Sequence, residues 1–197
     1  MKRRLFYLLV FISFLSCSYA RELWNGFTTE MNFDQVAVRI RTKYGIMSCI
    51  ERKDPLGPFL TYPDGYSISG EEIDYKMIRY TFSMDNPAIY EIHTAFLYGK
   101  LFAISVYYKA DNKIVLDKAE ACFGNPSLYL HSKKWFSNEY EIYARCWFRD
   151  EKIIILINSE CSYTDEARRK QVVELYKEYE EKRRLKALEL ERKKIDG

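Results

Sequence analysis

Three neighbouring segments decide the fold class: KMIRYTFSM (76–84), AIYEIHTAFLY (88–98) and KLFAISVYY (100–108). In the first segment Ile78, Tyr80, Phe82 and Met84 alternate with polar residues, which is the two-residue period of a strand with one buried face. Turn sequence separates the first segment from the second, and Gly99 divides the second from the third as in a β-hairpin. The stretch therefore predicts three consecutive antiparallel strands.

A helix precedes these strands. In FDQVAVRIRTKY (33–44) the apolar residues recur at helical spacing. Asn32 and Gln35 have the spacing of a capping box, and Gly45 is suited to the left-handed conformation that ends many helices. The sequence predicts a helix over 33–44.

The same order of elements follows a second time. IVLDKAEACF (114–123) predicts a shorter helix, with Asp117 and Glu120 compatible with a cap and Gly124-Asn125-Pro126 as a stop signal. YEIYARCWFR (140–149) alternates as a strand, and KIIILIN (152–158) is apolar on both faces, which favours an internal position in a sheet. Helices that end in Tyr44-Gly45 and Phe123-Gly124, 79 positions apart, hint at an internal duplication.

We therefore expect an α+β domain over residues 21–162, with two short helices packed on one face of an antiparallel sheet. Its halves would be 24–110 and 111–162. With 197 residues, 48% of them hydrophobic, the chain is long enough for such a domain and too apolar to be disordered.

The repeated pattern resembles two kinds of small exported protein. Trp24-Asn25-Gly26-Phe27 before the first helix, Tyr44-Gly45, and Phe123-Gly124-Asn125-Pro126 before a strand that contains Trp147 carry the resemblance. It is to the SmpA/OmlA-type lipoproteins of the outer-membrane assembly machinery and to the tandem-repeat β-lactamase inhibitor protein fold, and it covers about residues 24–160. The resemblance implies non-enzymatic binding or scaffolding in the envelope, and it assigns a role to no individual residue here.

A long segment without clear periodicity, 46–75, holds three of the five prolines. A short strand is compatible with Met47 to Glu51. Loops of this length are uncommon in compact domains and usually functional. Phe59, Tyr62 and Tyr66 are therefore a candidate partner-binding surface, although the same three aromatic side chains could simply cap the core.

Residues 163–197 predict a charged C-terminal helix. Val172, Leu175, Tyr176 and Tyr179 form an apolar stripe that can dock on the domain, and Leu185, Leu188 and Ile195 lie on a shifted face. We expect the first two turns to dock and the rest to be solvated. The alternative is a partner-binding or coiled-coil helix, which would need a longer run of heptads.

Residues 1–20, MKRRLFYLLVFISFLSCSYA, have the layout of a secretory signal peptide. Cleavage after Ala20 is one reading of the site, and lipidation of Cys17 in a loose lipobox is the other; both stay open. Removal of this segment leaves 28 basic and 28 acidic residues, so the basic footprint expected of a nucleic-acid-binding protein is missing.

Four cysteines remain after either cut: Cys49, Cys122, Cys146 and Cys161. An even number in an exported protein permits two disulfides, whereas separately buried thiols are slightly favoured. None of the spacings is typical of a redox motif or a zinc site.

No catalytic constellation is recognisable in the sequence. His93 falls mid-strand and His131 in a lysine-rich segment, and phosphate-binding, dinucleotide and metalloprotease motifs are absent, so we expect no catalytic, metal or cofactor-binding residues. The expectation is an exported bacterial envelope protein, a non-enzymatic binding or scaffolding protein or lipoprotein with an envelope partner. The alternative is a soluble periplasmic or secreted small-ligand carrier or hydrolase that uses the 46–75 loop.

Overall fold

The structure is a computed structural model, and it describes residues 20–52, 77–133 and 140–195. The predictions for residues 1–19 and for 53–76 lie outside these ranges. The first half of the described chain contains β1 (Glu22–Trp24), β2 (Phe27–Thr28), α1 (Phe33–Tyr44), β3 (Ile46–Arg52), β4 (Met77–Met84), β5 (Ile89–Leu97) and β6 (Lys100–Tyr108). The second half contains α2 (Asn112–Phe123), β7 (Leu128–Lys133), β8 (Tyr140–Arg149), β9 (Lys152–Ile157), β10 (Glu160–Asp165) and α3 (Glu166–Ile195).

An eight-stranded antiparallel sheet dominates the described fold. Its strand order is β3-β4-β5-β6-β10-β9-β8-β7, and β1 and β2 form a separate two-stranded ribbon. The mixed α and β class with an antiparallel sheet is confirmed. Two short helices on a sheet describe only part of the fold, because the sheet is larger than the sequence indicated.

The order of elements repeats within the sheet. A helix followed by four strands occurs twice, and the last strands of the two sets, β6 and β10, pair at the centre of the sheet. The two short helices each have 12 residues and correspond at the constant offset of 79. The offset relates the N-cap Asn32 to Asp111 and the terminal Gly45 to Gly124. It also relates the buried residues: Val36 corresponds to Val115, and Ile40 to Ala119.

Local signals explain where the short helices begin and end. Asn32 and Gln35 form the predicted capping box, with 3.0 Å bonds in both directions. Gly45 adopts a φ of +72°, as predicted for the end of α1. The cap predicted for α2 was wrong: its N-cap is Asp111, which accepts a 2.8 Å hydrogen bond from the backbone of Lys113, while Asp117 lies inside the helix.

The two short helices cover one face of the sheet. Their buried residues share one apolar cluster with alternate residues of the central strands, among them Ile104, Val106 and Leu156. Trp147 of β8 joins this cluster, and its indole N–H donates a 2.8 Å bond to the carbonyl of Gly124. We call this side of the sheet the helix face.

Helix α3 covers part of the opposite face. Val172 is fully buried against a second cluster made of Met77, Ala95, Leu97, Phe102 and Ala103, and Leu175 and Tyr176 pack beside it. The predicted docking of the first turns is therefore confirmed. The prediction that β4 is buried on one face only was wrong, because Met77 and Thr81 are buried on this side as well.

Two strands of the sheet were not predicted. β7 falls in a stretch expected to be a loop, and β10 extends to Asp165, so α3 begins at Glu166 rather than at residue 163. All six residues of β10 are buried although Glu160, Ser162 and Thr164 are polar, which explains why hydropathy did not reveal the strand. The internal position of β9 is confirmed.

Candidate functional site

The most exposed apolar part of the described sheet is β3. It is an edge strand that pairs with β4, and no other described strand pairs with its outer side. Every residue from Met47 to Glu51 is exposed, with Met47 71% and Ile50 51% accessible. An edge that presents apolar side chains and unpaired backbone groups is a template for another strand.

The equivalent strand of the second half provides a comparison within the same molecule. β7 forms the other edge, and its Leu128 and Leu130 pack against a third cluster that contains the buried residues Ala144 and Cys146. Its exposure alternates from residue to residue, as in an ordinary half-buried strand. Of the two described edges, only β3 has a run of consecutive exposed residues.

An open groove runs between β3 and α1. Cys49 pairs with Phe82 in register, so its side chain lies on the helix face of the sheet, next to α1. The groove measures about 250 Å³. Its floor and walls are Phe33, Ala37, Val38, Ile46, Cys49 and Phe82, with Asp34 and Arg41 at the rim.

The edge and the groove suit one kind of ligand, an extended peptide segment. In strand addition the backbone hydrogen bonds of the edge supply affinity, and pockets that receive alternate side chains supply specificity. A segment paired with β3 would place every second side chain on the helix face, where the groove opens.

A second candidate is a set of polar residues on the face opposite the short helices. The register aligns them in two rows across β5, β6 and β10: His93, Ser105 and Ser162 in one row, and Glu91, Tyr107 and Glu160 in the other. We call these six residues the polar grid. The hydroxyl of Ser162 donates a 3.1 Å bond to Glu160, and it is also hydrogen-bonded to Ser105. His93 Nε2 lies 2.9 Å from a carboxylate oxygen of Glu91.

Burial sets the electrostatics of the polar grid. It raises the pKa of Glu160 above its ordinary value, although hydrogen bonds from Ser105, Tyr107 and Ser162 act in the opposite direction. Burial and the neighbouring Glu160 carboxylate raise the pKa of Tyr107. A buried carboxyl group with a raised pKa is a feature of many acid–base catalysts, so Glu160 is the member of the grid that calls for this test.

The burial of its two serines favours a structural role for the polar grid. Ser105 and Ser162 are almost completely buried, and their hydroxyl groups are bonded to each other. A serine nucleophile needs contact with its substrate and with its base. The arrangement instead satisfies polar groups where β6 and β10 join the two halves.

A third candidate is a pocket of about 310 Å³ at the start of α3, with Arg21, Lys100 and Arg168 in its wall. These cations are paired within the fold. Arg21 lies 2.8 Å from Asp165, and Arg168 lies 2.7 Å from Glu30. The ion pairs in the wall of the pocket thus connect the beginning of the described chain to α3, and the two arginines are neutralised by carboxylates of the protein itself.

The predicted site residues are spread over the chain. Cys17, Phe59, Tyr62 and Tyr66 lie outside the described residues, while Ala20 is described and exposed. In the chain, the segment that contains the three aromatic residues follows β3 and precedes β4.

The four cysteines after Cys17 are free thiols in the structure. Cys146 and Cys161 are buried, and burial raises the pKa of Cys146 to about 11 and that of Cys161 to about 12. Cys49 and Cys122 are exposed. The separately buried thiols favoured from the sequence therefore describe two of the four.

The groove was missed in the sequence because it joins distant residues. A strand near Met47 to Glu51 was compatible with the sequence, but its position at an edge depends on pairing with β4, about thirty residues later. The residues of β3 do not themselves show that Met47 and Ile50 are exposed.

Comparison of the chain with protein-family models, with curated proteins and with solved structures gives no match. Within the described residues, no cluster of three or more His, Cys, Asp or Glu side chains could hold a metal ion. None of the helices in these ranges combines the length and the apolar character needed to cross a membrane.

Proposed function

We propose that the chain is an exported, non-enzymatic binding or scaffolding protein of the bacterial cell envelope, and that it binds an extended segment of a partner protein at β3. The observation that carries this proposal is the exposed apolar edge beside the open groove. The groove is small for a ligand pocket, since such pockets usually enclose about 300–1,000 Å³. Its size and open side therefore favour a peptide over a small molecule.

The contacts at the start of the described fold are compatible with either processing of the N-terminus. Arg21 holds the start of the chain to the domain through its backbone and its side chain. Its N–H donates to Thr29 Oγ1 at 3.1 Å, and its guanidinium forms ion pairs with Asp165 and Glu151. A chain cleaved after Ala20 keeps all of these contacts. A chain anchored through lipidated Cys17 keeps them as well, with four residues spanning at most about 14 Å between lipid and domain.

The repeated order of elements supports an origin by duplication. Two 12-residue helices at a constant offset and two sets of four strands that meet at β6 and β10 are the features expected of a tandem repeat. We propose that the halves descend from one unit, which agrees with the resemblance to tandem-repeat envelope proteins. In this proposal the first half keeps its edge open, whereas the second half covers its own.

A lysine at the exposed edge tests the proposal. Ile50→Lys places a charge where an added strand would pack, while the side chain stays 51% exposed in the free protein. Ile114→Lys on α2 is the matched control, because Ile114 is 50% exposed and distant from β3 in the chain. Each tagged variant is expressed in its native host, crosslinked in intact envelopes and purified.

The expected result is a discrete crosslinked partner with the wild type and with Ile114→Lys, and its loss with Ile50→Lys. Recovery of the protein alone in all three cases would contradict a binding function. Equal capture by both variants would place the binding surface elsewhere. Circular dichroism and thermal melting establish that both variants are folded to the same extent.

A further inference from the structure

Helix α3 has a docked half and a projecting half. The docked half carries Val172, Leu175 and Tyr176 against the sheet. From Glu181 to Arg192 every residue is exposed. The last 15 of its 30 residues extend the helix by roughly 22 Å at 1.5 Å per residue.

The projecting half has little to stabilise it in water. Isolated helices of about 12–15 residues are only marginally stable. Its surface ion pair, Arg184 with Glu181 at 2.9 Å, is of the exposed i,i+3 type that contributes little. Leu185, Leu188 and Leu190 are each about half exposed, so apolar surface is available for a binding partner.

The charge of this segment differs from that of the domain. Residues 181–195 contain seven basic and three acidic residues, whereas residues 21–180 contain 21 basic and 24 acidic residues. A cationic helix therefore projects from a slightly anionic domain. Such a segment complements a negatively charged surface. Its projection of roughly 22 Å exceeds the screening length of about 8 Å at physiological salt, so the negative charge of the domain opposes that attraction only weakly.

Two of the three exposed leucines of the projecting half lie away from the docked side, whereas Leu190, about five full turns after Val172, lies in line with it. At about 100° per residue, Leu185 lies about 140° around the helix from Val172. Leu188 adjoins Leu185 one turn further, and Arg184 and Lys182 lie on either side of this pair. Glu181 and Arg192 project between the two leucines, one turn before and one turn after them. Leucines flanked by long basic side chains are typical of helices that lie in a membrane interface.

A coiled coil fits this pattern less well. If Leu185 and Leu188 occupy the two seam positions of a heptad, the next seam position is Arg192, and Leu190 lies outside the seam. The segment also spans only about two heptads, fewer than the three or four that a stable coiled coil needs.

We propose that residues 181–195 bind the surface of a membrane that contains anionic lipids, with Leu185 and Leu188 at the headgroup boundary and the basic residues on the lipid phosphates. This surface is separate from β3, so the proposal does not depend on the binding function proposed above. It gives the protein a membrane contact of its own, whichever way its N-terminus is processed.

Vesicle binding tests the proposal. The processed chain that begins at Arg21 is sedimented with phosphatidylcholine vesicles, and with phosphatidylcholine vesicles that also contain phosphatidylglycerol. Lys182→Gln/Arg184→Gln removes charge, and Leu185→Ser/Leu188→Ser removes apolar surface. Lys109→Gln/Lys118→Gln and Ile114→Ser are the matched controls, because these side chains are exposed outside α3.

We expect binding to the anionic vesicles only, weakened by added salt. Each basic residue at an anionic surface is worth about a fivefold change in partitioning, so the charge variant should bind on the order of tenfold or more weakly. The serine variant should also bind more weakly, and the controls should behave like the wild type. Circular dichroism shows whether each variant keeps a folded domain.

Other outcomes would overturn the proposal. Equal sedimentation with neutral and anionic vesicles, or binding that neither α3 variant weakens, would exclude this surface. A chain that ignores vesicles but has the mass of a dimer by light scattering, lost in Leu185→Ser/Leu188→Ser, would assign the projecting half to a second copy instead.

Discussion

The division of α3 into a docked and a projecting half predicts that truncation of its apolar residues has position-dependent effects. Val172→Ala deletes two methyl groups from a fully buried side chain. At about 0.8 kcal/mol per buried carbon, the lost burial is about 1.6 kcal/mol, and the cavity adds to it. Alanine is the better helix former by roughly 0.5 kcal/mol, which leaves a net loss of about 1.5 kcal/mol.

The matched change in the same helix is Leu185→Ala, whose side chain is 50% exposed. Surface substitutions of this kind stay within about 0.5 kcal/mol. Urea denaturation followed by far-ultraviolet circular dichroism measures both free energies of unfolding. For a domain of this size, the expected loss in Val172→Ala lowers the melting temperature by about 3–6 °C.

The comparison can fail in two ways. Equal destabilisation by Val172→Ala and Leu185→Ala would mean that the distal half is packed as well. No destabilisation by Val172→Ala would mean that α3 does not dock on the cluster of Met77, Leu97 and Phe102. Either result would refute the division of the helix.

Three further predictions follow from buried, turn and exposed positions. Because burial raises the pKa of Glu160, its neutral carboxyl group favours the fold below the ordinary glutamate pKa of 4.5, and this contribution is lost as pH rises through the raised value. The stability of Glu160→Gln relative to the wild type should therefore increase as pH rises above 4.5 in urea titrations, and parallel pH profiles would contradict this. Gly45 and Gly99 both have a positive φ, so replacing Gly99 by alanine should cost roughly 1 kcal/mol of stability. Gly45→Ala should cost more, because its new Cβ would lie 3.3 Å from the backbone oxygen of Asp85, whereas the Cβ at Gly99 meets no atom within 4 Å. Equal melting temperatures of the two variants would refute this difference. A thiol reagent should label Cys49 and Cys122 at once and the two buried cysteines only on unfolding, and four equally fast thiols would disagree with the packing.

Local signals in the sequence identified most helices and strands of the first half. The capping box of Asn32 and Gln35 and the turn at Gly99 depend only on neighbouring residues, and both are present in the structure. The cap of α2 was misplaced because Asp111 and Asp117 are the same capping residue type, and the sequence alone does not distinguish them. In the structure the helix that begins after Asp111 buries Val115 in the core.

Long-range pairing explains the elements that the sequence did not reveal. β10 carries Glu160, Ser162 and Thr164 in buried positions, and such residues are tolerated there because β6 supplies hydrogen-bonding partners such as Ser105. No local pattern marks such a strand as central. The duplication was visible only at Tyr44-Gly45 and Phe123-Gly124, whereas the structure extends the offset of 79 along both helices.

The candidate site was even less accessible to sequence analysis. The sequence indicated Phe59, Tyr62 and Tyr66 as a binding surface because they are large aromatic residues that lie among prolines. The exposed edge became apparent only when the sheet order placed β3 outermost and left its groove with α1 open. Exposure of an apolar strand is a property of the assembled sheet and not of its own residues.

Site-specific crosslinking from Cys49 tests the central claim most directly. A photoreactive maleimide is attached to Cys49 in a Cys122→Ser variant, and to Cys122 in a Cys49→Ser variant, since both thiols are exposed and belong to different halves of the repeat. Illumination in the native envelope should yield a discrete crosslinked partner from Cys49, and none from Cys122. The same partner from both positions, or no partner from Cys49, would contradict a binding site at β3.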